Sequence, residues 1–303
     1  MSLYHVPVLL QECMKGLSIQ PDGTYVDVTF GAGGHAKAIV ERLSPKGKLI
    51  AFDQDPDAAA NAAAIQHPNF IFIQANFRYI KKFLRLQGIQ QVNGILADLG
   101  ISSYQIDTAE RGFSIRFDGA LDMRMNIHQN LKAQDIINHY SVEELSKIFR
   151  IYGELPQAHS VAMEIVRKRT FKKIETTREL LQVINKFAPR GKEFKFRAQV
   201  FQALRIEVND EINALKEFLL QTPDILLPQG RLVILSYHSL EDRLVKNFLK
   251  AGNFKGELEH DFYGNILRPF TPLFSKPFKP TPEEIMKNSR ARSAKLRIGI
   301  RNS

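Results

Sequence analysis

Apolar and polar positions in the first hundred residues follow a repeating plan. A helical spacing from Val8 to Leu17 leads into an apolar run, Thr24 to Phe30, that breaks at Gly31-Ala-Gly-Gly-His35. Helical spacing resumes from His35 to Leu43, and a second run, Lys48 to Asp53, stops on an acid. Asp55-Pro56 then reads as a helix start, with Asp as cap and Pro at the first helical position. A third run spans Asn69 to Gln74, with Phe77 just beyond it, and a fourth spans Gly94 to Leu99 and carries Asp98 near its carboxyl end. Short buried strands alternating with helical patterns predict a parallel, doubly wound sheet.

The alternation stops for about the next hundred residues. Ser141-x-x-Glu144 and Thr176-x-x-Glu179 are capping boxes, Gly153 is a stop for the first of these helices, and Ala158 to Arg169 has helical spacing between them. An all-helical insert is expected here. One long helix, Val200 to Leu220, is predicted to return the chain to the sheet, followed by a fifth strand, Gly230 to Ser236, and a helix capped by Ser239. Gly252 to Pro282 is rich in Gly, Pro and Phe and reads as loop and hairpin. Ala294, Leu296, Ile298 and Ile300 alternate with Lys295, Arg297, Gly299 and Arg301, the period of a half-buried strand.

Ligands of such sheets bind at the carboxyl ends of the strands. The polar residues there are Asp27 with Gly31 to His35, Asp53, Asp98 with Ser102 and Ser103, and Ser236 with His238. A glycine turn lets backbone approach a ligand, and an acid ending strand two accepts hydrogen bonds from a ribose. Two adenosine cofactors compete. A dinucleotide would place a pyrophosphate on the helix N-terminus, and Ala36 at the third glycine position is compatible with it. Asp27 in strand one favours S-adenosylmethionine, because a carboxylate attracts a sulfonium and ammonium and repels a pyrophosphate.

Methyl transfer from a sulfonium is an in-line displacement that depends on alignment. Attack at cytosine C5 would need a cysteine nucleophile. Cys13 is the only cysteine and lies on the helix before strand one, which disfavours that chemistry and excludes disulfides within the chain. The amino-methylating pattern of Asp or Asn followed by Pro-Pro and an aromatic is absent, and Asp98-Leu-Gly-Ile-Ser-Ser103 stands in its place. Asp98 there can still orient an exocyclic amine, while ribose methylation stays open. Eight histidines without metal-ligand spacing give no expected metal site.

At 303 residues, 44% hydrophobic and 24% charged, the chain has ample material for a core. The Val6-Pro7-Val8-Leu9-Leu10 run breaks at Gln11-Glu12, without the pattern of a leader or membrane span, so a cytoplasmic protein is expected. The net charge of +10 points to a polyanionic partner. Residues 1–100 hold nine basic and eight acidic side chains and residues 101–200 seventeen and twelve, so the excess lies outside the cofactor half. Arg167-Lys168-Arg169, Lys172-Lys173, Arg190 to Arg197 with Phe194 and Phe196, and Arg290, Arg292 and Lys295 are the candidate nucleic-acid clusters.

Eight segments together resemble the RsmH (MraW) family. They are Gly31-Ala-Gly-Gly-His35, Ala51-Phe-Asp-Gln-Asp-Pro56, Ala97-Asp-Leu-Gly-Ile-Ser-Ser103, Glu110-Arg-Gly-Phe-Ser114, Leu121-Asp-Met-Arg-Met125, Phe201-Gln-Ala-Leu-Arg-Ile206, His238-Ser-Leu-Glu-Asp-Arg243 and Arg290-Ala-Arg-Ser-Ala294. The resemblance implies a class I S-adenosylmethionine-dependent methyltransferase, a Rossmann-like domain of residues 1–104 and 206–303 with a helical RNA-recognition domain, 105–205, inserted. It implies methylation of 16S rRNA of the small ribosomal subunit at N4 of a decoding-centre cytosine, numbered 1402. By motif position it implies cofactor contacts at Gly33, Gly34, His35, Asp53, Phe77, Asp98 and Gln105, with Asp98 orienting the acceptor amine. A homodimer is compatible with it, and a membrane partner is not expected. The chain departs from the family pattern at Tyr104 and Ser289, both usually Pro, and at Lys195-Phe-Arg-Ala-Gln199, usually His-Pro-Ala-Thr-Arg. An RNA-binding assembly factor that holds the cofactor without catalysis is the second reading. A nicotinamide oxidoreductase is the third, disfavoured by Asp27.

Overall fold

The computed structural model describes residues 7–303; Val6, the first residue of the N-terminal apolar run, lies outside them. The chain divides into two compact units, one formed by the chain up to Gly100 together with Ile212–Ser303, the other by Ile101–Glu211.

The first unit is built on seven strands: β1 (Thr24–Asp27), β2 (Lys48–Asp53), β3 (Phe70–Gln74), β4 (Val92–Asp98), β5 (Leu226–Ser236), β6 (Phe270–Pro272) and β7 (Lys295–Arg301). Their order is β3-β2-β1-β4-β5-β7-β6, with β7 antiparallel to both neighbours. The chain winds outward through β2 and β3, then returns to lay β4 on the other side of β1. A doubly wound sheet binds ligands at such a switch point. The expected class I methyltransferase sheet is therefore present.

Both faces of the sheet are covered, so its strands are nearly continuously apolar. Helices α1 (Leu10–Leu17), α2 (Gly34–Val40) and α3 (Asp57–Ala62) cover one face, packing Cys13, Leu17, Ile39 and Ala58 against Tyr25, Leu49, Ala51, Leu96 and Leu235. On the other face α4 (Ile80–Leu86) packs Ile80 and Leu84 against Val26, Ile50, Phe52 and Ile95. Strand one ends at Asp27, three residues earlier than its apolar run suggests. The run continues as an extended segment whose amides cross to both neighbours, Val28 N–H to Leu96 O and Phe30 N–H to Phe52 O.

The second unit holds α5 (Ser103–Asp107), α6 (Ala133–His139), α7 (Val142–Ile151), α8 (Ala158–Arg169), α9 (Thr177–Ile184) and α10 (Glu193–Asn209). Both capping boxes form, Ser141 with Glu144 and Thr176 with Glu179. Leu145, Phe149, Val161, Ile165, Leu180, Val200 and Leu204 share its core. Gly153 follows α7, but the left-handed residue there is Glu154 (φ 50°); a Cβ on Gly153 would lie 2.7 Å from Phe149 O, so close packing requires that glycine. Gly112 is required more strongly: its φ is +72° and a Cβ would meet Ala120 O at 2.2 Å.

The expected single helix from Val200 to Leu220 is two helices. α10 stops at Asn209, Asp210 turns left-handed (φ 49°), and α11 (Glu211–Ile225) begins. Asp and Asn enter that conformation more readily than other side-chain-bearing residues. The buried Asn209 side chain is committed at the break, accepting from Met125 N–H at 2.8 Å and donating to Met123 O and Arg205 O at 2.8 and 2.9 Å. In the sheet unit, Leu215, Phe218 and Leu219 of α11 join the core on the α4 face, together with Val245 and Phe248 of α12 (Ser239–Ala251). α13 (Pro282–Lys287) precedes the last strand. No helix among the described residues is long and apolar enough to cross a membrane.

Candidate functional site

Strand alternation assembles the site. Tyr25, Ala51, Leu96 and Leu235 all point to the α1/α2 face. Two residues further along each strand lie Asp27, Asp53, Asp98 and Tyr237, so a period of two returns these four side chains to that face. The pairing of Asp27 with Ala51 and Leu96, and of Asp98 with Leu235, sets their heights at the carboxyl edge.

The glycine turn closes over this edge. Gly31 N–H donates to Asp53 Oδ2 at 2.7 Å, and Asn61 Nδ2 donates to Gly31 O at 3.0 Å. Gly33 caps α2 with φ +79°, and a Cβ there would sit 2.8 Å from the Phe30 ring; Gly34 opens the helix. His35 follows, buried, its Nε2 3.2 Å from Val8 O and its Nδ1 3.7 Å from Asp98 Oδ2. A carbonyl only accepts, so in a neutral ring the proton is on Nε2 and Nδ1 faces Asp98 bare. Asp98 is held on three sides: its N–H donates to Thr29 Oγ1 at 2.6 Å, its Oδ1 accepts from the Tyr237 hydroxyl at 2.7 Å, and Oδ2 faces His35.

Burial raises the proton affinity of all three carboxylates. Burial pushes Asp27 up to about 7, opposed by the Thr29 N–H and helped by repulsion from Asp98 and Asp53. Burial also takes Asp53 up to about 6, against the N–H donors of Asp55 and Gly31. Asp98 is raised by burial, with His35 and the Tyr237 hydroxyl pulling the other way. His35 is lowered by burial, which the Asp98 carboxylate opposes. Burial and then Asp98 push the Cys13 thiol well up, so it is a packed, unreactive thiol as its helical position suggests.

Asp27 Oδ1 accepts from Thr29 N–H at 3.1 Å, but Oδ2 is buried and has no hydrogen-bond partner. No lysine or arginine pairs with Asp27, Asp53 or Asp98 among the described residues. An orphaned buried carboxylate oxygen beside two more carboxylates fits a ligand with a cationic end and a ribose. It opposes a pyrophosphate, whose charge would have no counterpart here.

Other sequence-selected residues fall elsewhere. Phe77 starts a single 3₁₀ turn after β3 and packs edge-on to Phe218, 5.4 Å between centroids. Its turn is tied to the end of β2 by Asn76 Nδ2 donating to Gln54 Oε1 at 2.8 Å. Gln105 lies in the helical unit, where its side chain accepts from Ser102 N–H at 3.0 Å; Ser102 is thus the cap of α5. Ser236 turns to the β7 side, 3.4 Å from Lys295 O. His238, rather than Ser239, caps α12, its ring nitrogen accepting from Glu241 N–H. Tyr237 was missed between them, although alternation from Leu235 points to it.

The basic clusters are partly spent on structure. Arg167 forks Glu164, Lys172 pairs with Glu179 and Arg169 donates to Ile137 O. Phe196 is buried in the helical core and Phe194 is exposed, so the interleaved aromatics divide between the two roles.

The family model described as the MraW methylase family matches residues 2–301. A ribosomal RNA small subunit methyltransferase H from Amoebophilus asiaticus is 57% identical over 302 residues, covering 100% of this chain and 97% of the relative. A protein of the same name from Cytophaga hutchinsonii is 56% identical over 299 residues, covering 99% and 100%. A solved rRNA methylase from Streptococcus thermophilus aligns over 97% of this chain and 94% of its own at 12% identity, with a TM-score of 0.42.

Proposed function

The chain belongs to the MraW methylase family, and from that membership we propose that it methylates N4 of a cytosine in the RNA of the small ribosomal subunit. The coarser activity, S-adenosylmethionine-dependent methylation of 16S rRNA, follows from the family and its relatives. When bound, S-adenosylmethionine supplies an electrophilic methyl on a sulfonium. Gly33, Gly34 and His35 are the residues to hold its amino-acid end, with Asp27 Oδ2 as counter-charge to the ammonium. Asp53 receives the ribose hydroxyls, and Phe77 borders the adenine. The contact expected of Gln105 rests on motif position alone.

The observation that carries the acceptor assignment is the Asp98 carboxylate, fixed by Tyr237 and set at the carboxyl edge of β4. A carboxylate accepting one N–H of an exocyclic amine turns the nitrogen lone pair toward the incoming methyl. The methylated amine is acidic and loses its proton readily, so a weak base suffices. A ribose hydroxyl needs a stronger base, and the cluster holds no lysine. Attack at cytosine C5 needs an accessible thiolate, whereas Cys13 is fully buried. The base must leave its stack to reach Asp98.

Labelled-methyl transfer to small subunits and to bare rRNA, with the product nucleoside identified by mass and chromatography, tests this reading. N4-methylcytidine is expected. A 2′-O-methyl nucleoside would move the acceptor to ribose. Cofactor binding without transfer to either substrate would favour the non-catalytic assembly factor.

Asp27 gives the cofactor site a pH dependence. The bound ammonium selects ionised Asp27, so binding must expel a proton wherever the free protein holds one. Cofactor affinity is expected to be level above about pH 7 and to weaken as pH falls through that value. Asp53 steepens the loss below about 6. Without ligand the sign reverses: a carboxyl raised in the fold stabilises it at low pH and loses that contribution as pH rises through 7. Asp27→Asn should therefore weaken S-adenosylhomocysteine binding at pH 8 yet raise the unliganded Tm there. Calorimetry at pH 6.5 in buffers of different ionisation enthalpy counts the released proton; a count of zero in the unmodified protein would sink the assignment.

A further inference from the structure

Beside Tyr237 the sheet unit has a cavity of about 290 Å³ that the cofactor residues do not enter. Its walls include Tyr237, Ser239, Lys279, Arg292, Ser293 and Lys295, and no Asp or Glu lines it. Nearby acids are already engaged. Asp242 is neutralised by Lys295 Nζ at 2.9 Å and Arg297 Nε at 2.6 Å. Glu241 accepts from Tyr237 N–H at 3.0 Å and lies 3.1 Å from His238 Nε2. Lys279 and Arg292 are exposed and have no carboxylate partner among the described residues. Two cations therefore converge on one cavity without a counter-charge.

The cavity is next to the chemistry. Tyr237 forms part of its wall, and the hydroxyl of the same side chain holds Asp98. One residue thus borders the carboxylate-free basic hollow and holds the Asp98 carboxylate.

We infer that this cavity seats a backbone phosphodiester of the RNA strand, adjacent to the nucleotide being methylated. The inference rests on the reading of the chain as an rRNA methyltransferase. A base drawn out of its stack carries its own phosphates with it, and those charges must be held while the base reaches Asp98. The Arg292 guanidinium offers a planar fork that matches two phosphate oxygens, and Lys279 adds a mobile point charge. The Ser239 and Ser293 hydroxyls stand in the same wall. This divides the work between two pockets: acidic groups receive the cationic cofactor, and a carboxylate-free basic hollow receives the polyanion.

The test uses the full chain with Lys279→Gln, Arg292→Gln and the double variant. KM for bare rRNA should rise on the order of tenfold or more in the double variant, as expected for losing a charge-assisted fork. S-adenosylhomocysteine affinity should stay unchanged, which also reports an intact fold. The slope of log affinity for single-stranded RNA against log salt should become shallower by about 0.7, the contribution of one phosphate. An RNA with a single neutral methylphosphonate linkage beside the target cytosine should bind the unmodified protein more weakly and the double variant no more weakly than unmodified RNA does. Unchanged KM and salt slope in the double variant would overturn the assignment, as would loss of inorganic phosphate binding alone with RNA binding intact. If the unmodified protein transfers no methyl to rRNA at all, the functional reading itself fails, and that outcome is distinguishable from failure of the cavity.

Discussion

Replacing Asp98 by Ala is expected to lower kcat for methyl transfer by on the order of 10³-fold, within the range for a group that positions or exchanges a proton in the transition state. Asp98 is held by the Thr29 hydroxyl, the Tyr237 hydroxyl and the facing His35 ring, so its carboxylate is fixed before any acceptor arrives. The alanine variant loses both the acceptor oxygen and the group that orients the amine. Asp98→Asn keeps one oxygen acceptor and should retain more activity than the alanine form. Neither change removes a large apolar contact, and the Asp98 backbone N–H still has Thr29, so the fold should persist, while saturating cofactor offsets loss of the cofactor contact expected of Asp98. Tyr237→Phe should cost less than Asp98→Ala, because it frees the carboxylate without deleting it. Single-turnover transfer with saturating cofactor separates these effects from binding. A rate within tenfold of the unmodified protein in Asp98→Ala would remove Asp98 from the chemistry.

Replacing Asn209 by Ala is expected to destabilise the helical unit by about 3 kcal/mol, because buried groups are left without partners. Two backbone groups, Met125 N–H and Met123 O, lose their Asn209 side-chain partner, and Arg205 O is left with its helical bond from the residue 209 N–H alone. Met123 is also a non-glycine residue at φ 61°, a conformation costing roughly 1–2 kcal/mol that neighbouring bonds must hold in place. Arg124 fastens the same segment, forking Asp122 at 2.8 Å and donating to Ile127 O and Gln129 O at 2.8 and 2.7 Å. The Leu121-Asp-Met-Arg-Met125 motif therefore has a structural role in this chain: its strained loop is clamped by Asn209. Two units make global unfolding a poor single readout. Urea dependence of hydrogen exchange in α6, α7 and α10 reports the helical unit directly, and a loss below about 1 kcal/mol would contradict the clamp.

Local patterns determined much of the protein from sequence alone. The run Lys48 to Asp53, the Ala158 to Arg169 helix and both capping boxes could be read because each depends on neighbours within a few residues. The acids ending the strands were visible for the same reason, since a period of two and a break in apolarity require no distant partner. The eight motif segments identified the family, whose model spans nearly the whole chain.

Tertiary structure decided what depends on residues far apart in the chain. The break at Asp210 was hidden by helical spacing on both sides, because Asn209 is held by Met123 and Met125, more than eighty positions away. The cap of α12 shifted from Ser239 to His238 by one residue, a change in backbone geometry that composition does not record. Tyr237 looks like one more apolar position in the sequence; only the pairing of β4 with β5 brings its hydroxyl to Asp98, 139 residues away. The basic clusters read alike as charge runs, yet folding neutralises Arg167, Lys172 and Lys295, leaves Arg292 at the basic hollow, and brings to it Lys279, which lies outside every cluster. Charge is set by the residue and its burial, whereas availability is set by whether the fold brings a counter-charge within reach.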